Sequence, residues 1–85
     1  MDLVVISQNV CPACRNLESY LNNEHPELEY THINIDETPD AVEAYNVMGT
    51  PTFILVDEDK EEITRHTGFD FGPAKDILNE FIEQL

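Results

Sequence analysis

Apolar residues fall into short unbroken runs, separated by stretches where they recur at helical spacing. Leu3-Val4-Val5-Ile6 is continuous and rich in β-branched residues, the pattern of a strand buried on both faces. A loop over 7–10 follows. From Pro12 onward the period becomes helical. Cys14, Leu17 and Leu21 share one face with Tyr20, Pro12 suits the first turn, and Asn22, Asn23 and Pro26 mark the end. Residues 28–35 read as a second, weaker strand, with Ile33 and Ile35 on one face. Thr38 and Pro39 read as the cap and first residue of a short helix, with Val42 and Tyr45 inward and its end near Asn46.

The run Phe53-Ile54-Leu55-Val56 is the best candidate for a central strand. A turn over 57–60 leads to an alternating stretch, 61–67, with Ile63 and Arg65 on one face, as expected of an edge strand. The short spacing makes this pair an antiparallel hairpin. The clearest helix is the last: Pro73 opens it, and Ala74, Ile77, Leu78, Phe81, Ile82 and Leu85 mark its buried stripe. The element order is βαβαββα, and its opening βαβ unit implies parallel pairing. The expected architecture is α/β: one domain over residues 1–85, a four-stranded mixed sheet flanked by three helices.

At 85 residues the chain can bury one modest core, and 41% apolar residues suffice for it. The longest apolar run is too short to span a bilayer. Asp2 stands where a signal peptide carries basic residues, so a soluble, cytoplasmic protein is expected. Charge narrows the partners. Eighteen acidic side chains against four basic give a net charge of −14, which repels nucleic acid and anionic lipid. Steering toward a basic partner, a high-salt habitat and a merely soluble surface would each account for this acidity. No self-association face is visible, and a monomer is expected.

The only two cysteines are Cys11 and Cys14. A disulfide framework in a small secreted domain uses more, spread wider. Their position after a strand and at a helix start suggests redox chemistry. A sulfur at a helix N-terminus meets outward-pointing N–H groups and the positive end of the helix dipole. Both lower the pKa of Cys11 and make it the candidate nucleophile. Cys14, about one turn on, is the candidate resolving thiol. Pro12 stiffens the intervening turn, Ala13 leaves the sulfur reachable, and Arg15 is the one nearby cation. The rival reading is half a metal or cluster site. It needs two more ligands, and His25, His32 and His66 show no paired spacing.

Taken together, the βαβαββα order, Cys11-Pro12-Ala13-Cys14 and Val47-Met48-Gly49-Thr50-Pro51-Thr52-Phe53 resemble the thioredoxin-fold superfamily over essentially the whole chain. The resemblance implies a thiol–disulfide oxidoreductase with no bound cofactor beyond a redox-active Cys11–Cys14 disulfide. It implies a cis Pro51 beside the dithiol and a Thr50 that binds substrate backbone. With Pro12, Ala13, Gly68 and Phe69 these form the implied substrate-binding set.

Within the superfamily the signals divide. The short length, Cys-Pro-x-Cys and Thr67-Gly68-Phe69-Asp70 resemble glutaredoxins and glutaredoxin-like redoxins. Gly49-Thr50-Pro51 is more similar to thioredoxins, although Val10 stands where these carry Trp and Val5 where they carry a buried Asp. Glutathione, as co-substrate, would need cations for its carboxylates. Ser7, Gln8, Asn9, Asp40 and Glu43 occupy the positions where glutaredoxins supply them. The favoured expectation is a protein-disulfide reductase recharged by a flavoprotein reductase. The alternatives are a glutathione-dependent glutaredoxin and a metal- or cluster-binding module. Phe69 or Val10 is the candidate for an apolar contact patch near the sulfurs, with core packing the alternative role.

Overall fold

The two unbroken apolar runs form the inner strands of the sheet in the computed structural model, which describes residues 1–85. β1 (Asp2–Ser7) and β3 (Thr52–Val56) pair antiparallel, with Val4 opposite Ile54 and Ile6 opposite Thr52. β2 (Thr31–Asn34) adds parallel to β1, and β4 (Glu62–Thr67) adds antiparallel to β3, giving the order β2-β1-β3-β4. Inner strands are covered on both sides, which is why their sequences do not alternate.

Helices α1 (Pro12–Glu24) and α3 (Pro73–Glu83) lie on one face. There Leu17, Leu21, Leu78 and Phe81 close over Leu3, Val5, Phe53 and Leu55. Phe53 is the centre of this layer, edge-to-face with Phe81 at 5.2 Å and beside the His66 ring at 5.4 Å. The other face is thinner. Val4, Ile6, Ile54 and Val56 are covered by Ile33, Ile35, Tyr45 and Val47, and its only helix is α2 (Ala41–Ala44). Arg65 ties that cover down: Nη2 donates to Tyr45 O (2.8 Å) and Nη1 to Asn46 O (3.2 Å). Its Nε and Nη2 also grip the Glu62 carboxylate at 2.9 and 2.6 Å. That hydrogen bonding holds Glu62 below the ordinary carboxylate range and Arg65 above its ordinary value.

Four local expectations are corrected. The second strand starts at Thr31, not residue 28. Leu28 and Tyr30 pack against the core without joining the sheet, which supplies the apolar spacing without the pairing. The short helix is capped by Asp40 rather than Thr38, with no side-chain cap bond, because a turn closed by Glu37 and Thr38 N–H onto Asn34 O intervenes. Starting later rotates it, so that Ala41 is buried and Val42 faces outward. Leu85 lies beyond α3 and is exposed.

Two predictions follow from this packing. Phe53→Ala should destabilise the fold by about 3–5 kcal/mol, against about 0.5 kcal/mol or less for exposed Ile63→Ala. Urea midpoints at constant m-value would measure both, and equal midpoints would refute the placement of Phe53. The Tyr30 phenol is raised above its ordinary 10.0, first by burial and then by the Glu18 charge. Between the unfolded and raised folded values the unfolded chain has lost this proton while the fold keeps it. Stability contributed by Tyr30 is therefore present below about pH 10 and declines as pH rises further. Tyr30→Phe should flatten that alkaline decline in denaturation curves taken at stepped pH.

Candidate functional site

The β1–β3 register builds the site. With Ile6 opposite Thr52, the C-terminal end of β1 lies beside the N-terminal end of β3. The loop 7–10 carries the chain from one to Cys11, and Gly49-Thr50-Pro51 leads into the other. β4 delivers Gly68 to the same end, where its N–H donates to Pro51 O at 2.7 Å. Gly68 has φ +93°, a conformation that L side chains rarely adopt, so the residue type matters at this turn.

Cys11 is the N-cap of α1. Its backbone is extended (φ −154°, ψ 92°), and its Sγ accepts the Cys14 N–H at 3.1 Å. The sulfur thus takes the place that a Ser or Asp oxygen usually fills at a helix start. Pro12 occupies the first helical position, where its missing N–H leaves nothing unpaired. No acidic residue stands in the first turn to oppose a negative sulfur. Cys11 and Cys14 are joined as a disulfide, with their Cα atoms 5.2 Å apart. Cys11 and Cys14 are both buried, at 6% and 2% exposure, while Val10 and Pro12 on either side of Cys11 are exposed.

The predicted residues gather unequally. Cys11, Pro12, Ala13, Thr50, Pro51 and Gly68 stand at this one end of the sheet. The Thr50–Pro51 bond is cis, and Pro51 is fully buried. Thr50 N–H and C=O have no hydrogen-bond partner within the chain. They form a short open edge in a loop otherwise pinned by Thr52 Oγ1, which donates to Gly49 O at 2.7 Å. Phe69 turns inward, packed against the core and beside Tyr20, with ring centroids 6.0 Å apart. The exposed apolar side chain beside Cys11 is Val10; exposed Met48 lines a cleft on the thinner face with Tyr45, Lys60 and Arg65, and exposed Phe71 lies against Tyr20, with ring centroids 6.5 Å apart. Met48 and Phe71 were not singled out from sequence, because isolated apolar residues in loops follow no period. The histidines stay apart: His25 meets Asn79, His66 lies against Phe53, and His32 meets Glu18 and Ser7.

That last cluster is a polar tie beside the site. His32 Nε2 lies 2.8 Å from Glu18 Oε1 and 2.7 Å from Ser7 Oγ, joining β2, α1 and the end of β1. A hydrolytic Ser–His–carboxylate relay uses opposite ring nitrogens for its two partners. Here one nitrogen serves both, so the cluster braces the loop after β1 and is not built to activate Ser7.

A thioredoxin family model matches residues 2–84. The chain belongs to the thioredoxin family. It is therefore a thiol–disulfide oxidoreductase, with Cys11–Cys14 as its redox-active pair. It is 28% identical over 80 residues to the SPbeta prophage-derived thioredoxin-like protein YosR of Bacillus subtilis, covering 94% of this chain and 98% of that one. It is 36% identical over 78 residues to thioredoxin H5 of rice, Oryza sativa subsp. japonica, covering 88% of this chain but 54% of the plant protein. The chain thus spans about half the length of that relative. Mitochondrial thioredoxin 3 from Saccharomyces cerevisiae superposes with a TM-score of 0.75 at 22% identity, covering 98% of this chain and 76% of that one. Fasciola hepatica thioredoxin gives 0.71 at 28% identity, with 98% and 80% covered.

The helix cap predicts unequal thiols. After reduction, limiting iodoacetamide at neutral pH should modify Cys11 well ahead of Cys14, since the helix N-terminus and the Cys14 N–H favour the Cys11 thiolate. Peptide mass mapping of the singly alkylated protein reads this directly, and an even split would refute it.

Proposed function

We propose that this thioredoxin-family protein reduces disulfides of other proteins, with Cys11 as nucleophile and Cys14 as resolving thiol. One observation carries the reading: a helix-capping sulfur faces the same sheet end as the unpaired backbone of Thr50. An extended substrate segment can pair with the Thr50 N–H and C=O, and this places its disulfide at Cys11. The Cys11 thiolate attacks one substrate sulfur, a mixed disulfide forms, and the other substrate sulfur leaves and takes a proton. The Cys14 thiolate then attacks Cys11 Sγ. The Cys11–Cys14 disulfide closes, and the substrate departs with two electrons gained.

In this mechanism Pro12 and Ala13 form the approach to the sulfur. Pro51 walls it, and Gly68 holds Pro51 through its 2.7 Å hydrogen bond. Phe69 supports the loop from below. Recharging falls to a thioredoxin-reductase-type flavoenzyme in a reducing compartment, the cytoplasm, and the protein works as a monomer. Glutathione is the disfavoured donor. Its carboxylates would meet no Lys or Arg in the loop 7–10, and Arg15 is the one cation in the first turn of α1.

Two experiments test this reading. With insulin as substrate, NADPH plus thioredoxin reductase should sustain turnover, whereas reduced glutathione plus its reductase should not. Turnover with glutathione would replace the reductase with the tripeptide as donor. In the variant Cys14→Ser, mixed disulfides with substrate should accumulate and insulin reduction should fall by at least about a hundredfold, since the resolving step is gone. Unimpaired turnover by this variant would mean that Cys14 resolves nothing.

A further inference from the structure

We propose that Glu18, held in place by His32, takes the proton that Cys14 must lose before it attacks Cys11. This inference assigns a base to the resolving step of the reading above and rests on it. Ring closure needs Cys14 as a thiolate, and the helix start does not supply one. The Cys14 N–H is turned to Cys11 Sγ, so the cap favours ionisation of the first sulfur and not the second. Cys14 is also almost fully buried, which keeps its thiol from bulk water. The acceptor must therefore come from the side chains around it. On α1 its neighbours one turn on are Leu17, which is apolar, and Glu18. Long side chains on a helix lean toward its N-terminus, which carries the Glu18 carboxylate back over the turn of Cys14. The strands beneath this part of α1 offer Leu3, Val5 and Phe53, none of which titrates.

Glu18 is not a loose surface carboxylate. Its Oε1 lies 2.8 Å from His32 Nε2, and the same nitrogen lies 2.7 Å from Ser7 Oγ. An ionised carboxylate only accepts hydrogen bonds, so Nε2 carries the hydrogen and shares it between the two oxygens. Ser7 is buried at the end of β1, and its carbonyl accepts the Ile35 N–H at 2.9 Å. The ring is thus anchored to the sheet, and the carboxylate to the ring. His32 is a positioning residue, and Ser7 fixes it. The Glu18 side chain keeps 31% of its surface open, so a proton it acquires can pass to water. Two other ionisable groups face it. The Tyr30 phenol feels the Glu18 charge and keeps its own proton, and Arg15, one turn earlier on α1, has no acceptor site. In the mixed disulfide the Cys14 proton passes to Glu18, directly or across one water. The Cys14 thiolate then attacks Cys11 Sγ, the bond from Cys11 to the substrate sulfur breaks, and that sulfur leaves as a thiolate. Glu18 returns its proton to solvent.

The test separates the two sulfur steps. Pre-reduced protein, in excess, is mixed in stopped flow with dithiodipyridine, a small uncharged disulfide. Attack by Cys11 releases one thiopyridone at a rate that scales with protein concentration. Ring closure by Cys14 releases the second at a rate independent of it. At neutral pH, Glu18→Gln should slow the second release at least about tenfold and leave the first within about twofold. Its amide oxygen still accepts the His32 N–H, so the tie persists and the urea midpoint should not move. The lag should shrink as pH rises past about 9, where hydroxide deprotonates a thiol unaided. His32→Ala should slow the second release by a smaller factor, and combining it with Glu18→Gln should add no further slowing. An unchanged second release in Glu18→Gln overturns the inference. So does a lag that persists at high pH, which marks a packing defect and not a lost base. Absence of the first release in the unaltered protein overturns the oxidoreductase reading instead, so the two failures are distinguishable.

Discussion

The antiparallel register of β1 on β3 is the constraint from which the rest follows. Each strand is buried on both faces, so slipping it by one residue would exchange the contents of the two core layers. The register is thus set by hydrophobic burial, and chemistry inherits it. Locking Ile6 opposite Thr52 puts the loop to Cys11 beside the Thr50–Pro51 segment, two pieces far apart in sequence. The helix cap then completes the site. Because β1 ends where α1 must begin, the side chain at the cap position is a sulfur held by the Cys14 N–H. Core packing and sulfur chemistry are consequences of a single strand pairing.

What could be read from the sequence tracks what repeats. Runs 3–6 and 53–56 and the stripe from Ala74 to Phe81 state their burial through several residues each, and one residue cannot mislead them. The short helix offered too little pattern. With four residues, moving its start from Pro39 to Ala41 turns Val42 from core to solvent. Leu28 and Tyr30 misled for a different reason: apolar spacing reports burial, and these residues are covered without pairing. Phe69 and Phe71 could not be told apart because a loop has no period. Their roles depend on Tyr20, which α1 brings over them. The His32–Glu18–Ser7 tie was equally hidden, since it needs both the β1–β2 register and the seat of α1 above it.

Two departures from the thioredoxin pattern gain meaning from the structure. Val5 stands where a buried carboxylate was expected, and it lies fully inside the layer of Leu17 and Phe53. An uncompensated charge there would face a large desolvation penalty in a core this small. The polar groups of this region stand instead at its edge: Ser7 two residues further along the strand, and His32 and Glu18 half-open to solvent. Val10 replaces the expected Trp beside Cys11. It offers less area than an indole and no N–H, and it stands exposed beside the buried Cys11.

Charge works against this core rather than with it. Self-repulsion among 18 acidic side chains opposes compactness, and four cations cannot relieve it. Arg65 is spent on the fold itself: it holds Tyr45 and Asn46 from β4 and grips Glu62. Lys60 sits in the β3–β4 turn, at the opposite end from Cys11. The repulsion is therefore offset by burial, concentrated in β1 and β3, where residues from Leu3 to Ser7 and from Thr52 to Val56 are all buried. The pairing that places the sulfur is also the one that holds an acidic chain together.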